Sequence, residues 1–159
     1  IGIDAFLARA KESGFSGLIV PDLPGDEAAD FAAAVKKHEL DLIQLVSPLT
    51  PPERVERILS AASGFVYCIS VAGTTGVRNE LPAELQDQLE WLKTKTDLPL
   101  AVGFGVSRPD QVESLRAVAD GIIVGSAIVR QLEPPAETSA AVTQVGEFAA
   151  EMLTATRNN

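Results

Sequence analysis

Sulfur and aromatic side chains are scarce in this chain: one cysteine, one methionine, one tryptophan, one tyrosine and a single histidine among 159 residues. Cys68 has no partner within the sequence, which excludes a disulfide scaffold and makes the cytoplasm the default location. No histidine or acid stands beside it, so it reads as an inert core thiol. His38 follows Lys36 and Lys37 at an expected helix C-terminus, where a cation suits the dipole better than a ligand role. No metal-ligand spacing, nucleophile elbow or dinucleotide-binding fingerprint occurs. Positive charge is in the minority, with 13 Lys and Arg against 22 Asp and Glu and a net charge of −9. Such a chain repels nucleic acid and anionic membrane, so neither is an expected partner, and a phosphate site would have to be built locally from oriented N–H groups. No apolar run approaches the roughly eighteen residues needed to cross a bilayer. No signal peptide is visible, and the sequence opens on Ile1 rather than methionine.

What is present is an alternation. At 46% hydrophobic and 22% charged the chain reads as one soluble globular domain. Apolar runs that suit buried parallel strands begin near positions 17, 41, 65, 98 and 121, at intervals of 24, 24, 33 and 23 residues. Helical spacing fills the gaps: Ile3, Phe6, Leu7 and Ala10 before Gly14; Ala28, Phe31, Ala32 and Val35 behind the acids Asp26 and Glu27; Val55, Ile58 and Leu59; Leu85, Leu89 and Leu92; Val112, Leu115 and Val118. A terminal helix, set off by the break at 133–136, is expected to turn Val142, Val145, Ala149 and Met152 to one side. Thr50-Pro51-Pro52-Glu53 and Ser107-Arg108-Pro109-Asp110 carry the pattern of helix caps. Repeated βα units imply a parallel sheet with helices outside, either doubly wound or a barrel, whose working face is the C-terminal edge of the strands.

Two of these strands end in glycine. Residues 98–107 contain Val102-Gly103-Phe104-Gly105-Val106, and residues 121–129 contain Gly125-Ser126 ahead of a short helical turn over 127–132. Glycine lets the chain turn tightly and lets an anion approach the peptide plane, and the following helix start offers unpaired N–H groups. Glycine-tipped neighbouring strands with a short extra helix are the phosphate site that (β/α)₈ barrels place after their last two strands. The alternative is a pair of tight strand-to-helix turns. The long polar loop 71–80 after the third strand has the composition of a mobile segment.

Val20-Pro21-Asp22-Leu23-Pro24, Tyr67-Cys68-Ile69-Ser70-Val71-Ala72-Gly73-Thr74-Thr75-Gly76-Val77, the Gly103 to Gly105 tip and Gly125-Ser126-Ala127-Ile128-Val129, in this order and spacing, resemble the tryptophan synthase alpha chain family. The resemblance runs over essentially the whole chain and implies strands four to eight of a (β/α)₈ barrel, an incomplete barrel without its first three strands. It implies a lyase of tryptophan biosynthesis that cleaves indole-3-glycerol phosphate to indole and glyceraldehyde 3-phosphate by a retro-aldol step. The partner it implies is a beta chain, in a heterotetramer; the pyridoxal phosphate belongs to that beta chain and no cofactor to this one.

Carried over residue by residue, the resemblance makes Gly76, Gly105, Gly125 and Ser126 the phosphate cradle, with Gly103 and Phe104 shaping it. It places Thr75 in a loop that closes over substrate, Tyr67 beside the reacting centre as an auxiliary, Ile19 against the indole and Asp22 at the mouth facing the beta chain. Each role has a plainer rival. Thr75 would otherwise be a solvated turn residue, Tyr67 a packed ring with a satisfied hydroxyl, and Asp22 a structural or interface acid more readily than a catalytic one. The family's catalytic Glu and Asp match no position here, so the chain alone is expected to be inactive, with open sheet edges that favour self-association. Two rival readings are a phosphoribosyl-substrate isomerase on the same scaffold and a non-catalytic, self-associating partial barrel.

Overall fold

The computed structural model describes residues 1–23, 28–70, 83–103, 105–132 and 138–157. Thr75, Gly76 and Phe104, with the 71–80 loop, the acids Asp26 and Glu27 and the 133–136 break, lie outside the described residues.

The elements run α1 (Ile3–Glu12), β1 (Gly17–Ile19), α2 (Ala29–Lys37), β2 (Asp41–Val46), α3 (Pro52–Ala61), β3 (Val66–Ile69), α4 (Ala83–Lys93), β4 (Leu100–Gly103), α5 (Pro109–Leu115), β5 (Gly121–Ile122), α6 (Ser126–Gln131) and α7 (Thr138–Ala155). The strands form one parallel sheet in the order β1-β2-β3-β4-β5. Chain order and spatial order coincide, so there is no reversal point of the kind a doubly wound sheet requires. Right-handed crossovers that always step the same way leave all helices on one side, the arrangement of a barrel wall.

Packing confirms the one-sidedness. Val46, Val66, Cys68, Leu100 and Val102 point into a single cluster with Val55 and Ile58 of α3, Leu85, Leu89 and Leu92 of α4, Val112 and Leu115 of α5, and Met152 and Ala155 of α7. A second cluster joins Leu7 and Ala10 of α1 to Val35 of α2 and Leu42 of β2. Burying such a side chain is worth roughly 1.5–3 kcal/mol. Since side chains alternate along a strand, Leu45, Tyr67, Ala101 and Gly121, which are register partners across four strands, stand on the face turned away from the helices.

Three local expectations are corrected, in α3, α5 and α7. In α3 the N-cap is Pro51, with Pro52 in the first turn, because the Thr50 hydroxyl is already engaged by the Ser47 amide at 3.1 Å. In α5 the cap is displaced by one residue: neither Ser107 nor Asp110 closes it, and Gln111 does. In α7 Val142 is exposed and the buried positions are Ala141, Met152 and Ala155, with Phe148 partly buried against the core. The two buried alanines let α7 lie close to its neighbours, which a hydropathy pattern centred on Val142 does not reveal. In α1 only Leu7 and Ala10 are buried, leaving Ile3 and Phe6 exposed.

Candidate functional site

The C-terminal edge of the sheet gathers most of the expected residues that are described. Gly103 is the last residue of β4; it pairs with Ile69 of β3, and its carbonyl accepts the Ser70 amide at 2.9 Å. Gly103 is buried, and its lack of a side chain has a cause: a Cβ built there would overlap the phenol of Tyr67, with Cζ at 2.6 Å. The Tyr67 ring therefore leans across the tip of β4. Tyr67 is half-buried, and burial raises its pKa above the ordinary 10.0.

Gly105 differs from Gly103 in the reason it must be glycine. Its φ of +89° lies in the left-handed region, it is exposed, and among the described residues a Cβ there would meet nothing within 4 Å. The backbone angle demands glycine here. Next door, β5 pairs with β4 through Val102 and Ile122, and the Ile123 amide donates to the Val102 carbonyl at 2.7 Å. The chain then reaches Gly125 and Ser126, both exposed, where α6 begins; Ala127 is buried and anchors that turn. Gly103, Gly105, Gly125 and Ser126 thus belong to two adjoining strand tips, with Tyr67 beside them. Gly76, the remaining residue expected there, lies outside the described residues.

Ile19 and Asp22 are set apart, at the end of β1. Ile19 pairs with Ile43 and is 46% exposed on the helix-free face. β2 intervenes between β1 and β3, so Ile19 is about 10 Å from the Tyr67 strand at a strand spacing of about 4.8 Å. Asp22 is exposed and lines an open cleft of about 340 Å³ with Gln44, Ser47, Thr50 and Arg54. The cleft sits over the ends of β1 and β2. Gln44 is buried in β2 between Ile43 and Leu45, and a polar residue inside that apolar stretch is the sequence signal that marks it.

The remaining sequence candidates fall elsewhere. His38 ends α2, where its Nε2 lies 2.8 Å from Asp4 Oδ1, and Lys37 Nζ lies 3.2 Å from the same oxygen. Cys68 faces the core, and burial, aided by the charge of Asp120, pushes its thiol up to about 12. No group of three potential metal ligands occurs among the described residues, and no described helix is long and apolar enough to cross a membrane.

A parallel sheet in sequential order, helices on one side and glycine-ended strands at one edge define part of a (β/α)₈ barrel protein. A family model described as tryptophan synthase alpha chain matches residues 1–157. The tryptophan synthase alpha chain of Carboxydothermus hydrogenoformans is 47% identical over 133 residues, covering 84% of this chain and 50% of that protein. That of Geobacillus kaustophilus is 44% identical over 156 residues, covering 94% and 58%. In a solved structure of the tryptophan synthase α2β2 complex from Pyrococcus furiosus, one chain superposes with a TM-score of 0.85 at 37% identity, covering 96% of this chain and 61% of that one. The chain belongs to the tryptophan synthase alpha chain family. It spans about half the length of the curated relatives it matches.

Proposed function

We propose that the tips of β4 and β5 bind the phosphate of indole-3-glycerol phosphate, and that the chain supplies the phosphate-binding part of a tryptophan-biosynthesis lyase. The observation that carries this reading is Gly105, exposed in a left-handed conformation just after β4, with the neighbouring strand β5 leading to Gly125 and Ser126 at the start of α6. Peptide N–H groups are the right anion ligands for a chain of net charge −9, because they attract phosphate without any basic side chain. In this reading Gly76, Gly105, Gly125 and Ser126 hold the phosphate, Gly103 and Phe104 shape the cradle, and Thr75 closes over it. Tyr67 stands beside the reacting carbon and Ile19 touches the indole, the two ends being separated as a long, thin substrate requires.

The reaction is a retro-aldol cleavage to indole and glyceraldehyde 3-phosphate. It needs one acid to protonate the indole ring and one base to take the glycerol hydroxyl proton, each worth about 10²- to 10⁴-fold. The family's Glu and Asp for these roles match no residue of this chain, so the chain alone is inactive in this reading and turnover needs a complementary piece. The partner is a beta chain, which carries the pyridoxal phosphate and faces Asp22; a relative's structure is of an α2β2 complex.

The test is reconstitution. Mixed with an intact beta chain and a separately made N-terminal piece, the chain should release indole from indole-3-glycerol phosphate; no release overturns the assignment. The cradle is tested separately: Gly105→Val should abolish the protection that glycerol phosphate gives in thermal melts, and unchanged protection refutes the site. A phosphoribosyl isomerase on the same scaffold would share the phosphate protection without any response to indole.

A further inference from the structure

The chain on either side of Gly105 is tied down by different means. On the β4 side, the Gly103 carbonyl accepts the Ser70 amide. On the α5 side, Val106 is buried in the core, and the next two amides, Ser107 and Arg108, donate to one atom, Oε1 of Gln111, at 2.9 and 3.1 Å. Gln111 is 4% exposed, so water does not compete for that oxygen. Between these anchors Gly105 is exposed, with its backbone in the left-handed region.

We propose that Gln111 is the positioning residue of the anion site: its amide oxygen fixes the turn that follows Gly105, and so the direction in which the N–H groups at the tip of β4 point. The inference rests on the phosphate reading of the tips and adds to it a residue that touches no substrate. A glycine in open space has no side chain to hold it, and without outside anchors its peptide would sample several orientations, each binding phosphate less well. Gln111 supplies such an anchor from within the first turn of α5. An aliphatic side chain of similar size would fill the same volume but take the acceptor from two half-buried amides.

The experiment uses the 159-residue chain and inorganic phosphate, followed through the amide resonances of Gly105 and Gly125. In the wild type both should shift on titration. In Gln111→Leu the affinity should fall by about tenfold or more, since small misplacements of an oriented site are costly. Amide exchange separates positioning from general loosening: in the variant Ser107 and Arg108 should exchange faster while the β4 amides keep their protection. Equal affinity in the variant, or a uniform rise in exchange across the sheet, overturns the role of Gln111 and leaves the phosphate site standing. No shift in the wild type overturns the phosphate reading itself. Should the leucine variant not fold, the wild type still decides: phosphate must slow exchange at Ser107 and Arg108 along with Gly105, and unchanged exchange there overturns the proposal.

Discussion

The two edges of the sheet are built in opposite ways. Where the strands begin, the backbone is closed off: the Leu42 amide donates to Ser63 Oγ at 2.9 Å, the Leu100 amide to Asp120 Oδ2 at 2.9 Å, and the Asp41 amide to the Ser16 carbonyl at 2.9 Å. Where they end, Gly105, Gly125 and Ser126 are exposed, and the Tyr67 ring lies over Gly103. Closed amides at one end hold the strands in register. The exposed glycines at the other are where the proposed phosphate site stands, in line with the division between stability face and active face that barrels use.

Substitutions can break that comparison at either edge. The largest effect is expected from Gly103→Val, which drives a branched side chain into the Tyr67 ring; overpacking of this kind costs about 1–3 kcal/mol, and an unchanged Tm would mean that the ring does not lie there. At the closed edge, Asp120→Ala removes the acceptor of the Leu100 amide and the Lys93 contact at 3.4 Å. A smaller loss of about 1 kcal/mol is expected, with protection by glycerol phosphate unaltered; a change in that protection would show that the two edges are not independent. The smallest effect belongs to Asp4, on the exposed surface of α1. The hydrogen bond from His38, and then Lys37, hold its carboxyl below the ordinary 3.8. A depressed pKa adds stability above the ordinary value and loses it as pH falls through the folded one. The difference in Tm between wild type and Asp4→Asn should therefore be small at neutral pH, vanish below the ordinary aspartate range and shrink in salt.

The strands were legible because short apolar runs alternating with helical spacing leave few alternatives to a βα repeat. Choosing between a barrel and a doubly wound sheet was not possible from the pattern, since both use the same units. The choice lies in the direction of each crossover, which only the observed strand order displays. β1 is shorter than its apolar run, stopping at Ile19 where Pro21, which has no amide to donate, soon follows. The helix faces were read well where Leu and Val dominate, as in α4, and less well in α7, where buried alanines carry the contact. At the site, glycine at 103 and 105 was legible as a feature but not in its causes, one being a neighbouring ring and the other a backbone angle. Gln111 was missed because Ser107 and Asp110 form the more familiar cap, although an acceptor three residues after Arg108 also fits a capping box.

The phenol laid across Gly103 has a practical consequence. Tyr67 is the only tyrosine in the chain, so every ultraviolet signal of phenolate formation comes from one address, the end of β4. An alkaline titration followed by absorbance thus reads the surroundings of that strand end directly, with no label introduced. A solute settling at the neighbouring turn would register as a displacement of that single optical curve.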